Sequence, residues 1–165
     1  MPEKSIDELK SLIGTTWEAV ERFPIEAGKI AEFAEARKED NPVYTDSTGE
    51  TARERGYADV PAPPTYMTSS SFFSSRQSTE ARPDFGLDRE RVLHGEQAYE
   101  YERVPVAGDV LYAEGEVTDV YQREGSRGGV MTFIERTTTY YDQNDEPVVR
   151  AIGTTIETAK PPEEE

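Results

Sequence analysis

The segment EDNPVYTD, residues 39–46, sets three carboxylates, Glu39, Asp40 and Asp46, around an Asn41-Pro42 turn and Tyr44. A loop of this composition can carry a general acid/base pair, since one group takes a proton in the transition state and another returns it. A carboxylate is present, but no histidine lies nearby. The only histidine is His94, fifty residues beyond Tyr44. The chain has no cysteine, so thiolate chemistry and a disulfide framework are excluded. One histidine without cysteine also speaks against a zinc site, and neither metal nor cofactor is expected.

The 165 residues suit one domain, 1–160, followed by an acidic tail, 161–165. A chain of that size buries about two-thirds of the surface its unfolded form exposes. No run approaches the roughly 18 apolar residues of a membrane span, and MPEKSIDELK has no signal-peptide core. The expectation is a cytoplasmic protein with no membrane partner. The formal net charge of −16 disfavours nucleic acid, whose binding needs a basic surface. An acidic polar chain can be disordered, but 10% aromatic residues and clear strand alternation indicate a core. Adaptation to high salt is the other reading of this charge, because salt screens self-repulsion. The cations fit it: five are lysines (Lys4, Lys10, Lys29, Lys38 and Lys160), and the other 13 of 18 are arginines. A halophilic source is expected.

The elements that must position a site are readable from periodicity. Ile6, Leu9, Leu12 and Ile13 fall at helical spacing within residues 1–13. TTWEAVERF (15–23) alternates as a first strand, and IEAGKIAEFAEARK (25–38) reads as a helix with Ile25, Ile30, Phe33 and Ala34 on one side. Residues 39–62 form a long polar loop, of the kind that is usually functional or mobile. APPTYMTSSSFFSSR (62–76) holds four bulky apolar groups, Tyr66, Met67, Phe72 and Phe73, among small residues, and predicts a buried central helix. Residues 77–90 form a second loop. From residue 91 onward four β-branched or aromatic segments are separated by turns. The last three read as an antiparallel meander. The fold class is α+β, one helix against a curved antiparallel sheet.

Over roughly residues 11–158 the sequence resembles the MaoC-like acyl dehydratases and (R)-specific enoyl-CoA hydratases, in their N-terminal, or first-subunit, form. The resemblance is carried by the strand-helix opening, EDNPVYTD, APPTY, LHGEQAYEY, and VPVAGDVLY followed by TDVYQREGSRGGVMTF. It implies a single hot-dog fold, a sheet wrapped around a central helix. It implies an acyl thioester on coenzyme A or a carrier protein, and reversible addition of water across its 2,3-double bond. Active members of the family resemble one another in an aspartate, one residue, Asn-Pro, one apolar residue and histidine, which together hold the water. Aligning Asn41-Pro42 puts Glu39 at the aspartate and Tyr44 at the histidine. A tyrosine ionises near pH 10, so it is a poor base at neutral pH. The motif is degenerate, and no residue of this chain is assigned as catalytic.

Other positions carry binding alternatives. His94 is a strand-end histidine or lines an acyl channel. Asn41 and Pro42 are turn formers or substrate contacts. Tyr57 and Tyr66 pack in the core or touch the acyl chain. Pro64 and Thr65 stand at the N-terminus of the expected helix, where free N–H groups can hold a thioester carbonyl, though two prolines remove two donors. The function expected is a non-catalytic, acyl-binding subunit of a heterodimeric (R)-3-hydroxyacyl-thioester dehydratase or enoyl-CoA hydratase, the partner being a second hot-dog chain. The alternatives are a stand-alone homodimeric enzyme using Glu39 and an acyl-CoA-sensing regulatory module. Residues 93–102 are the expected edge strand for pairing.

Overall fold

The computed structural model describes residues 3–125 and 129–159. The acidic tail and most of the GSRGG turn lie outside the described residues. Five strands form one antiparallel sheet: β1 (Thr16–Pro24), β2 (Val92–Tyr101), β3 (Val110–Glu124), β4 (Val130–Tyr141) and β5 (Pro147–Glu157). Their spatial order is β1-β3-β4-β5-β2. The meander expected from the last three segments is present. Of the segment 93–102, residues 93–101 lie in β2, which among the described residues pairs with β5 alone and forms one edge of the sheet.

Alternation decides which face is buried. Along β4, Ile134, Arg136, Thr138 and Tyr140 share one face, opposite Val120, Val117, Gly115 and Ala113 of β3. The helical layer lies against that inner face. Val20, Phe23, Ile30, Tyr66, Met67, Leu111 and Tyr140 make one buried cluster, and Leu9, Trp17, Phe85, Val117, Val120 and Ile134 make a second. Ala19 packs against both, so the two are continuous. Helix α1 (Ile6–Lys10) closes one end with a capping box between Ser5 and Glu8. Helix α2 (Ala27–Ala36) buries Ile30 and Ala34, the stripe that its periodicity predicts. At the opposite end Arg103 grips Asp109 through two bonds of 2.6 and 3.0 Å and reaches Asp142 at 3.2 Å. It thereby ties the turn before β3 to the turn before β5.

The central helix differs from expectation. No continuous helix spans 62–76. A 3₁₀ helix runs over Tyr66–Phe73, the chain extends at Ser74 and Ser75, and α5 (Arg76–Ala81) follows. The serine-rich composition explains this. The hydroxyls of Thr68, Ser69 and Ser71 each donate to the carbonyl three residues back, at 2.8, 2.6 and 3.1 Å. Such local bonds compete with the α-helical ladder and suit the tighter 3₁₀ winding. The loop at 39–62 also contains structure, α3 (Pro42–Thr45) and α4 (Glu50–Glu54). The second loop opens with α5 and ends in a 3₁₀ turn, Arg89–Arg91.

Candidate functional site

The loop that opened the sequence is folded around its own polar groups. Asn41 caps α3, its side-chain oxygen accepting from the Val43 N–H at 3.1 Å and from Arg55 at 3.1 Å. Pro42 occupies the first turn, where a missing N–H costs nothing. Glu39 turns its carboxylate back onto the Asn41 N–H at 2.9 Å. Asp46 accepts from the N–H and hydroxyl groups of Thr48 and Thr51, which hold its carboxyl well below the usual range. Tyr44 is half-buried against the core. Burial pushes its phenol up, and the neighbouring Tyr57 and Glu39 add to the effect. At neutral pH Tyr44 is therefore neutral and holds its proton.

The other candidates are dispersed. Tyr57 is exposed beside Tyr44. Tyr66 is buried, stacked on Phe23 with centroids 5.8 Å apart and edge-on to Phe33 at 5.3 Å. The 3₁₀ helix begins at Tyr66, after Pro64 and Thr65, and the Pro64 carbonyl accepts the Tyr101 hydroxyl. Thr65 is the N-cap of that helix, so Pro64 and Thr65 stand at its N-terminus. His94 is exposed on edge strand β2, opposite Thr155, where the register slips. None of these residues lines the two cavities described next.

The larger cavity, about 290 Å³, lies between the 3₁₀ helix and the inner face of the sheet. Met67, Thr68 and Ser70 form its helical wall; Trp17, Gln97, Tyr99, Arg136, Thr138, Tyr140, Ala151 and Gly153 form its sheet wall. The space exists because the inner face carries small residues there. A Cβ on Gly153 would stand 3.2 Å from the Gln97 side-chain oxygen. A second cavity of about 170 Å³ adjoins it, sharing Trp17, Arg136 and Thr138 and adding Arg82, Ser74, Ser78 and Thr79. The larger alone approaches the lower end of the usual range for small-molecule sites, about 300–1,000 Å³, and the two together fall within it.

Arg136 is the unusual member. It projects from the middle of β4 onto the apolar face and donates to the Thr155 hydroxyl at 2.9 Å. Its Nε is buried without a hydrogen-bond partner, and it forms no ion pair with any described carboxylate. Burial pushes its guanidinium down to about 10, and the charge of Arg82 adds to the shift. Gln97 is fixed by its amide, which donates to the carbonyls of Ala98 and Ile152 at 3.2 and 3.0 Å. Sequence reasoning passed over Arg136. The available signal was a lone cation in register with Ile134, Thr138 and Tyr140. Among the described residues, no cluster of three His, Cys, Asp or Glu converges to hold a metal, and no helix is long and apolar enough to cross a membrane.

A five-stranded curved antiparallel sheet with its helical layer on the inner face is a hot-dog fold, the architecture of MaoC-like dehydratases. The chain belongs to the FAS1-like dehydratase-region family, whose model matches residues 11–151. A UPF0336 protein of Streptomyces avermitilis is 35% identical over 143 residues, covering 87% of this chain and 90% of its own length. A MaoC-like dehydratase superposes with a TM-score of 0.73 at 25% identity, over 90% of this chain and 43% of the longer neighbour. The HadBC (3R-hydroxyacyl-ACP dehydratase) complex of Mycobacterium tuberculosis superposes with a TM-score of 0.72 at 23% identity, over 88% of this chain and 96% of that one.

Proposed function

We propose that this chain is the non-catalytic, acyl-binding half of a two-unit (R)-3-hydroxyacyl-thioester dehydratase or enoyl-thioester hydratase. The observation that carries the reading is the state of the Asn-Pro loop. Tyr44 occupies the position of the base and is held protonated, while the Glu39 carboxylate is occupied by the Asn41 N–H. Without a base, water is not activated for attack on the β-carbon, and loss of a general base typically costs about 10²–10⁴-fold. The cavity against the 3₁₀ helix is the place for the acyl chain, and a second hot-dog chain supplies the Asp/His pair.

Two further observations favour a second unit. Among the described residues, strand β2 leaves one side of its backbone unpaired, and free edges invite pairing. Phe72 is 88% exposed on the 3₁₀ helix, a large ring that a partner would cover. The HadBC neighbour is a complex, and the MaoC-like neighbour is a chain more than twice the length that this fold fills.

The test is crotonyl-CoA hydration by the purified chain, alone and after co-expression with a hot-dog chain carrying the intact Asp-x-Asn-Pro-x-His pattern. The expected result is no turnover alone and turnover by the pair, with light scattering giving a two-unit assembly in both cases. A rate constant near 10 s⁻¹ for the isolated chain, typical of whole enzymes, would remove the non-catalytic assignment. A stable monomer that ignores every such chain would remove the subunit assignment.

A further inference from the structure

A purely aliphatic acyl chain does not account for Arg136. Burying apolar carbon against its guanidinium would strip water from N–H donors and return no acceptor, which is costly for a charged group. Arginine presents five N–H donors in a rigid fork, and the described partners take one of them. The rest of the larger cavity is amphipathic: Trp17, Met67 and Tyr99 offer apolar surface, and the cation stands at one side of it. The occupant that satisfies both parts has an apolar stem and an anionic end. A planar carboxylate matches the fork with two parallel bonds. Arg82 lines the adjoining cavity and adds a second positive charge on the same side. The chain as a whole carries −16, so its long-range field repels anions. Affinity for one must come from these two local cations.

We propose that the Trp17–Arg136 cavity takes a thioester whose acyl chain itself ends in a carboxylate, a dicarboxylic monothioester, with Arg136 receiving that carboxylate. This rests on the acyl-thioester reading above and narrows it.

The test compares succinyl-CoA with butyryl-CoA, which have acyl chains of equal length, at one fixed salt concentration. Trp17 is the only tryptophan and lines both cavities, so its fluorescence reports binding directly. The expected result is binding of succinyl-CoA at least about tenfold tighter than butyryl-CoA, a step of about 1.4 kcal/mol. That preference should vanish in Arg136→Met and in Arg136→Gln, the second of which keeps a donor for Thr155. Circular dichroism establishes that each variant is folded, and the comparison on the parent stands whether or not they are. Equal binding of the two thioesters by the parent overturns the proposal and leaves the acyl-thioester reading in place. Binding of neither overturns both. Free coenzyme A that binds and loses the same affinity on Arg136 substitution would assign the arginine to a phosphate and overturn the carboxylate. A preference that survives in folded Arg136→Met overturns it as well.

Discussion

Tyr140 and Ser70 meet hydroxyl to hydroxyl at 2.7 Å where the 3₁₀ helix crosses the sheet, and both are buried. Removing one partner strands the other, whereas removing both leaves an apolar contact. Tyr140→Phe should therefore cost about 1–3 kcal/mol in denaturant unfolding, and Tyr140→Phe with Ser70→Ala should recover much of that loss. The pair also has a pH signature. Burial pushes the Tyr140 phenol up to about 12, above the unfolded value near 10. A raised folded value means that its stabilising contribution is complete below pH 10 and is lost as pH rises from 10 towards 12. Unfolding curves at pH 8, 10 and 11 should fall for the parent and fall less for Tyr140→Phe; equal slopes would assign the alkaline loss elsewhere, Tyr101 being the next group held near 12. At this scale the candidate site was half legible. The Asn41-Pro42 turn is local, so its turn-forming role could be read directly. Arg136 was not, because its meaning comes from strands β3 and β5 on either side and from a helical wall seventy residues upstream.

Strand β1 lays the Trp17 indole across Gly115 of β3, its register partner. A Cβ on Gly115 would stand 2.3 Å from the ring, so no side chain fits without moving the tryptophan. Gly115→Ala should push the indole towards the cavities it lines, change its fluorescence maximum, and cost roughly 1–3 kcal/mol, as overpacking does. An unaltered spectrum and stability would show that the strand pair yields more easily than its geometry indicates. The strands were the most legible elements, since period-two alternation in β3, β4 and β5 survives any tertiary context that buries one face. Helix α2 was legible for the same reason at period 3.6. The segment 62–76 misled because its apolar residues were counted and its hydroxyls were not. Thr68, Ser69 and Ser71 bond back to carbonyls three residues away and turn an expected α-helix into a 3₁₀ helix that stops at Phe73. The cavity lies between that helix and the small residues of the sheet's inner face.

Over the whole molecule, 34 acidic residues face 18 basic ones, and among the described residues a minority of the acids sit in the ion pairs seen. The pairs with structure behind them are Arg103 with Asp109 and Asp142, and Arg91 with the buried Glu157. Lys29–Glu32 and Arg150–Glu100 are exposed, and pairs of that kind contribute little. The remaining negative charges repel one another across a small surface, which destabilises the compact state. Screening shortens from about 10 Å at 0.1 M salt to about 3 Å at 1 M, so the repulsion should fade over that range. The melting temperature is expected to climb steadily between 0.1 M and 2 M potassium chloride. Sulfate at equal ionic strength separates the causes, because it also strengthens burial by exclusion from the protein surface. If charge screening dominates, chloride and sulfate curves should nearly coincide up to about 1 M. A rise seen only in sulfate would place the effect in the core, and a flat chloride curve would defeat the reading of this composition as an adaptation to salt.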